Sequence, residues 1–315
     1  VVATLGRAAK RAARSLASAP SAKKNLALST LAALLTEERE AIFAANRLDL
    51  ERARAEGLSE AFLDRLAITD KVLERMAEGV REIEALPDPV GEIEALRPRP
   101  TGISVGRMRV PLGVIAMIFE SRPNVTIDAS ALAIKSGNAI ILRGGHEALE
   151  SNKKLAELVS RALEAAGLPG AGVQVVAVGD RAIVGELIRA REFVDVLIPR
   201  GGKGLISRLM AEATVPMIKH LDGICHTYVD AAADIEMAVR VTDNAKTQRY
   251  SPCNATETLL VHRDAAEAFL PKIGRIFADK GVEMRAEPAA FAILSAAELP
   301  FVAAEDTDWD TEYNA

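Results

Sequence analysis

The stretch Lys135-Ser-Gly-Asn-Ala-Ile-Ile-Leu-Arg-Gly-Gly145 decides the fold. Its apolar run, residues 139–142, lies between Gly137-Asn138 and the turn Arg143-Gly144-Gly145. A short apolar run bounded by such breakers reads as a buried strand that follows a helix stop and leads into a glycine turn. Residues 128–136 before it read as a helix, and residues 147–166 after it as another, with Gly167 as the C-terminal stop. The same unit repeats outward. Residues 114–119 form a strand followed by the polar turn Glu120-Ser-Arg-Pro-Asn124; then come strand 173–178, helix 181–190, strand 194–198 and helix 202–213. Strands alternating with helices predict an α/β, doubly wound parallel sheet, whose ligands lie at the carboxyl ends of the strands.

On either side of this core the chain changes character. Residues 2–86 are rich in Ala, Leu, Glu and Arg, with apolar residues at helical spacing, as in Leu26, Leu31, Leu34 and Leu35. Thr36 reads as the cap of a helix running to Leu50, and Ser59 and Thr69 as the starts of two more. Pro87, Pro89 and Gly91 end this region, Arg97-Pro-Arg-Pro-Thr-Gly102 is a second break, and alternation over residues 103–110 predicts a strand or hairpin. The interleaved charges of the helical third read as solvated faces.

Composition sets the class. The chain has 315 residues, 49% hydrophobic and 26% charged, as soluble globular proteins do, and is long enough for two domains. A net charge of −5 argues against nucleic acid and anionic membrane as partners. Cys225 and Cys253 are the only cysteines, too few for a disulfide framework, which points to a reducing compartment. No run approaches the roughly 20 apolar residues of a membrane span. The basic residues near the start are not followed by an apolar signal segment. The expected location is cytoplasmic.

Two glycine turns lie at strand ends, Arg143-Gly144-Gly145 and Arg200-Gly201-Gly202-Lys203-Gly204. Each offers backbone N–H groups and a helix start to an anion such as a pyrophosphate, although tight strand-to-helix turns also use glycine for steric reasons alone. Neither fits a P-loop or the Gly-x-Gly-x-x-Gly fingerprint. Arg143 stands where an acid would bind a ribose 2′-hydroxyl, and an arginine there suits a 2′-phosphate.

The second focus is Gln248-Arg-Tyr-Ser-Pro-Cys-Asn-Ala-Thr-Glu-Thr258. Cys253, between Pro252 and Asn254, is expected in a turn ahead of the apolar residues 259–261. A free thiol has a pKa near about 8.5, so a nucleophilic role needs a setting that stabilises the thiolate, and Arg249 is a nearby source of positive charge. An inert cysteine fits the same pattern. Taken alone, Asn124 reads as a turn asparagine, Arg122 and Arg249 as loop charges, and Glu312 as a surface acid. Cys225, His226 and His220 lack the paired spacing of a zinc site, and His146 and His262 show nothing specific.

Taken together, several stretches resemble the aldehyde dehydrogenase superfamily, and within it the gamma-glutamyl phosphate reductase family. They are Val105-Gly-Arg-Met-Arg-Val-Pro-Leu-Gly113, Phe119-Glu-Ser-Arg-Pro-Asn-Val125, the opening stretch 135–145, and Ile198-Pro-Arg-Gly-Gly202. His220-Leu-Asp-Gly-Ile-Cys-His226, Cys253-Asn-Ala-Thr-Glu-Thr258 and Trp309-Asp-Thr-Glu-Tyr313 complete the set. The resemblance implies an aldehyde-dehydrogenase-like fold. An NADP-binding domain would cover residues 1–224, with a β-hairpin oligomerisation arm at about 97–111, and an α/β catalytic domain residues 225–315. Chains of this family run past residue 315, so the resemblance also implies a catalytic domain that is truncated here.

The implied activity is NADPH-dependent reduction of L-glutamyl 5-phosphate to L-glutamate 5-semialdehyde with release of phosphate, in proline biosynthesis, through a thioester on Cys253. Asn124 and the Cys253 N–H would stabilise the oxyanion, and Arg122 and Arg249 would clamp the substrate's phosphate or carboxylate. Arg143, Gly144, Gly201 and Gly202 would hold NADPH or NADP, with Glu312 at the nicotinamide ribose. His220 falls where hydrolytic members carry a water-activating glutamate. A homo-oligomer and a glutamate 5-kinase channelling partner are implied as well. The alternatives are another acylating or hydrolytic aldehyde dehydrogenase, or an inert nucleotide-binding fragment.

Overall fold

The computed structural model describes residues 1–120, 122–178, 182–219, 223–250 and 252–313, apart from the side chains of Ala61 and Lys203. The chain forms two compact units, Val1–Lys219 and His220–Ala315. His220, the expected counterpart of a water-activating acid, lies outside the described residues.

The first unit opens with α1 (Val2–Ala17), α2 (Ser21–Glu37), α3 (Arg39–Ala55), α4 (Glu60–Leu66) and α5 (Asp70–Ala85). Their apolar faces supply Leu16, Leu28, Leu31, Leu35 and Met76 to the core of this unit. Thr69 caps α5 as expected, accepting the Val72 N–H at 3.3 Å. Thr36 does not cap. It sits in the last turn of α2 and donates its hydroxyl to the Ala32 carbonyl at 3.4 Å, while α3 starts after Glu38 without a side-chain cap. A threonine hydroxyl bonded one turn back is compatible with a continuing helix, so its cap chemistry goes unused.

A two-stranded antiparallel hairpin follows, β1 (Ile93–Pro98) and β2 (Ser104–Met108), pairing Ile93 with Met108 and Pro98 with Ser104. It starts earlier than the expected 97. Every residue of both strands is exposed, including Ile93, Leu96, Val105 and Met108.

The central sheet is formed by β3 (Val114–Phe119), β4 (Ala139–Arg143), β5 (Val173–Val175) and β6 (Val196–Arg200). All pairs are parallel and the spatial order is β5-β4-β3-β6. The helices α6 (Asn124–Lys135), α7 (Leu149–Ala165), α8 (Ala182–Leu187) and α9 (Lys203–Glu212) alternate with the strands. The expected doubly wound α/β fold is therefore present. β3 and β4 are buried nearly throughout, which is why they read as unbroken apolar runs. β6 is displaced from its expected span and includes Pro199, opposite Ile118. As a terminal strand of this sheet it can carry a residue without an N–H. The strand order reverses between β3 and β6, so the crevice for a ligand opens beyond Phe119 and Arg200, which are register partners.

In the second unit β7 (Cys225–Val229) pairs in parallel with β8 (Thr256–Val261), with α10 (Ile235–Thr247) and α11 (Arg263–Asp279) packed on them. Val229, Val239, Phe269 and Ile273 form their common core. β9 (Arg285–Ala286), α12 (Pro288–Ala296) and β10 (Val302–Ala303) follow. A cavity of about 470 Å³ lies beside β8 and α11 and includes the buried pair Lys246–Glu257, 3.3 Å apart; neither Cys253 nor Glu312 lines it.

Candidate active site

The first part of the site stands at the sheet's reversal point. Glu120, the residue after β3, extends its carboxylate to the start of α9, where the Gly202 N–H donates to Oε1 at 3.2 Å. A helix start favours a negative group, and Glu120 supplies one from within the chain. Glu120 is not among the sequence candidates. Its only signal is an acid directly after the apolar run of β3.

The glycines of this turn differ in what they demand. A Cβ on Gly201 would stand 2.8 Å from both Glu120 Oε1 and Leu205 Cδ2. A Cβ on Gly202 would meet nothing within 4 Å, and its φ of −66° suits any residue. Neither packing nor backbone conformation calls for glycine at 202, whereas close approach of a ligand's phosphate to the backbone would. The turn before α9 thus fits a dinucleotide. At the end of β4 the opposite holds: a Cβ on Gly144 would lie 2.3 Å from Asn152 Nδ2, so packing alone accounts for that glycine. Asn152 is itself buried and accepts the Thr126 hydroxyl at 2.9 Å.

Arg143 ends β4 and donates through Nη1 to the Gly144 carbonyl at 2.8 Å. The turn behind it is braced by α3. Arg52 donates to the His146 carbonyl at 3.0 Å, and buried Asp49 accepts the Ser151 N–H at 2.8 Å. His146 is exposed, with Nδ1 3.2 Å from Glu147 and Nε2 3.6 Å from Glu56.

Asn124 does not lie in a loop, as its sequence context suggests. It is the first residue of α6, entered through Pro123, and its Nδ2 donates to Asp128 Oδ2 at 3.0 Å. Proline's fixed φ suits a helix start, which explains why the helix begins ahead of the expected Asp128. Burial pushes the Asp128 carboxyl above the usual carboxylate range, while the Asn124 hydrogen bond acts in the other direction. Arg122 is exposed, as is Arg249 in the second unit. Among the described residues neither guanidinium has an ion pair.

In the second unit Cys253 occupies the turn expected for it, closed by the Ala255 N–H donating to the Pro252 carbonyl at 3.0 Å. Its thiol is exposed and both cysteines are free. The rest of the turn is pinned from behind. Cys225 Sγ donates to the Cys253 carbonyl at 3.4 Å, and a Cβ on Gly223 would lie 2.3 Å from that same oxygen. Only glycine allows this approach. The Gly223 N–H in turn donates to Glu312 Oε2 at 3.1 Å. Gly223 therefore links the thiol's turn to Glu312, two features far apart in sequence. A backbone held this way, with the cysteine exposed, can present a nucleophile. His226 Nδ1 lies 2.7 Å from the Ile224 carbonyl, and His262 caps α11 by accepting the Asp264 N–H at 3.2 Å.

The family model for the aldehyde dehydrogenase family matches residues 2–289. The chain belongs to the aldehyde dehydrogenase family, a class of oxidoreductases acting on an aldehyde group whose fold binds a nicotinamide cofactor. More particularly, it is similar to the crystal structure of gamma-glutamyl phosphate reductase from Thermotoga maritima, with 42% identity over 100% of this chain and 75% of that one, at a TM-score of 0.90. It is also similar to gamma-glutamyl phosphate reductase from Saccharomyces cerevisiae, with 29% identity over 96% of this chain and 79% of that one, at a TM-score of 0.64. A glyceraldehyde-3-phosphate dehydrogenase from Methanocaldococcus jannaschii complexed with NADP shares the fold, at 18% identity over 87% of this chain and 58% of that one and a TM-score of 0.53.

Proposed function

We propose that this protein reduces L-glutamyl 5-phosphate to L-glutamate 5-semialdehyde with NADPH, releasing phosphate, in proline biosynthesis. The observation that carries the reading is 42% identity to a gamma-glutamyl phosphate reductase across the whole chain. The exposed thiol of Cys253 on its pinned turn supplies the chemistry such a reaction needs.

The Cys253 thiolate attacks the acyl carbon of the substrate. A carbon–sulfur bond forms, the bond to the phosphate oxygen breaks, and phosphate leaves with the electron pair, so that the glutamyl group remains on sulfur as a thioester. When bound, NADPH supplies the hydride that reduces the thioester carbon. The resulting thiohemiacetal oxyanion re-forms its carbonyl as the carbon–sulfur bond breaks, freeing the aldehyde and the thiolate. Negative charge gathers on the acyl oxygen in both stages, and the Asn124 amide and the Cys253 N–H are its donors. Arg122 and Arg249 pair with the substrate's phosphate and carboxylate, since a guanidinium matches both. Gly201 and Gly202 would admit the cofactor's phosphates to the start of α9 with the Glu120 carboxylate displaced from the Gly202 N–H, and Glu312 would take the nicotinamide ribose. Oxidation of the semialdehyde by NADP, with and without phosphate, tests the reaction as a whole.

Arg143 would take the 2′-phosphate in this reading and so would favour NADPH over NADH. Arg143→Ala is expected to weaken NADPH binding by about 1.5–3 kcal/mol, the scale of a lost charged hydrogen bond, and NADH binding much less. Titration of each cofactor against nicotinamide fluorescence measures this. Equal weakening of both would assign Arg143 to shaping the turn instead.

A further inference from the structure

The Asn124 amide has one donating end and one accepting end of nearly the same shape. Only the N–H end helps an oxyanion; the Oδ1 end would repel it. Exposure to substrate alone does not decide which end faces the reaction, because rotation of the amide by half a turn exchanges the two. The structure offers something that does decide. One helical turn further on, Asp128 Oδ2 accepts from Asn124 Nδ2 at 3.0 Å. Both residues are half-buried, and both belong to α6, so their separation is set by the helix itself.

We propose that Asp128 is a positioning residue that holds the Asn124 amide with its N–H end available to the acyl oxygen. An ionised carboxylate only accepts, so it selects the NH2 end of the amide. One N–H then binds Asp128 and the second remains to donate to the substrate. A protonated or neutral partner could instead donate to Oδ1 and let the amide turn over. Burial acts on the Asp128 carboxyl most strongly, and the Asn124 hydrogen bond opposes it. Burial raises its pKa, so the selecting form is lost on acidification sooner than an ordinary aspartate would lose it. This rests on the reading of Asn124 as an oxyanion donor and adds the residue that orients it.

The experiment is a double-mutant cycle on kcat and KM with the full-length protein, using Asp128→Asn, Asn124→Ala and the pair. Asp128→Asn is expected to lower kcat about tenfold or more with KM within about twofold, and to remove an acid limb of the kcat profile whose midpoint in the parent lies above the usual aspartate range. The double variant is expected to be no slower than Asn124→Ala alone, because an absent amide needs no orienting. Multiplying losses would overturn the proposal, as would a parent profile without that acid limb. So would Asp128→Asn lowering only the melting temperature, since a purely structural carboxylate acts on stability. If Asn124→Ala keeps its kcat, the oxyanion reading itself fails. If Asn124→Ala is slow while Asp128→Asn is not, only the pairing fails. Should Asp128→Asn not fold, Asp128→Ser completes the cycle, and the parent's pH profile needs no variant.

Discussion

Cys253→Ser is expected to abolish turnover, by a factor on the order of 10⁶, the scale that follows removal of a covalent nucleophile. A serine hydroxyl is a far weaker nucleophile than a thiolate unless a positioned base activates it. The same substitution removes the exposed thiol that should react first with an alkylating reagent. Cys225→Ser is the control. Its sulfur is half-buried and hydrogen-bonded to the Cys253 carbonyl, so it supports the turn from behind rather than meeting substrate. A serine can still donate there, and kcat should stay within about threefold of the parent. Steady-state kinetics and mass analysis after brief alkylation read both variants. A folded but inactive Cys225 variant, with Cys253→Ser still active, would reverse the assignment.

The second large effect belongs to Asn124→Ala. An oxyanion donor matters most once charge has gathered on the acyl oxygen, so its loss should lower kcat by about 10²–10³ and leave KM nearly unchanged. The Cys253 N–H would remain, which is why some activity should survive. A rise in KM at constant kcat would instead make Asn124 an ordinary binding contact.

Much of the sheet is legible in the sequence because its central strands are buried on both faces. β3 and β4 stand out as apolar runs between turn residues, and glycine turns mark the carboxyl ends of β4 and β6. Strand edges and helix starts are less legible, because several residues carry two competing signals. Thr36 has cap chemistry but is absorbed into α2. Pro199 looks like a strand breaker, yet it lies on a strand with a single ladder neighbour in its sheet. Pro123 suggests a loop while opening α6, and with the helix start misplaced the spacing of Asn124 and Asp128 carries no meaning. α10 is not anticipated, although Asp234 accepting the Met237 N–H at 2.8 Å is a recognisable cap. β9 and β10 are too short for any periodicity to show.

The same division runs through the site. Cys253 in its turn, and the glycine turns, follow from local residue chemistry. Gly223 and Glu120 do not, because their roles are contacts across long sequence separations: Gly223 under the Cys253 carbonyl, Glu120 at the Gly202 N–H. Nothing in the neighbours of either residue announces such a contact.

The central claim is that the acyl group passes between phosphate and Cys253 and not to water. An acyl-phosphate enzyme gains nothing from an efficient water base, because hydrolysis would destroy the thioester that phosphate or hydride should consume. Phosphate needs no deprotonation by the protein to act as a nucleophile. The resemblance places His220 where hydrolytic members of the family would carry a water-activating glutamate, so this reading expects no such carboxylate here. The direct measurement is oxidation of glutamate 5-semialdehyde by NADP with the full-length protein, followed by nicotinamide absorbance while phosphate is varied. Turnover that requires phosphate and yields the acyl phosphate is the expected result; sustained turnover to free glutamate in phosphate-free buffer would contradict it.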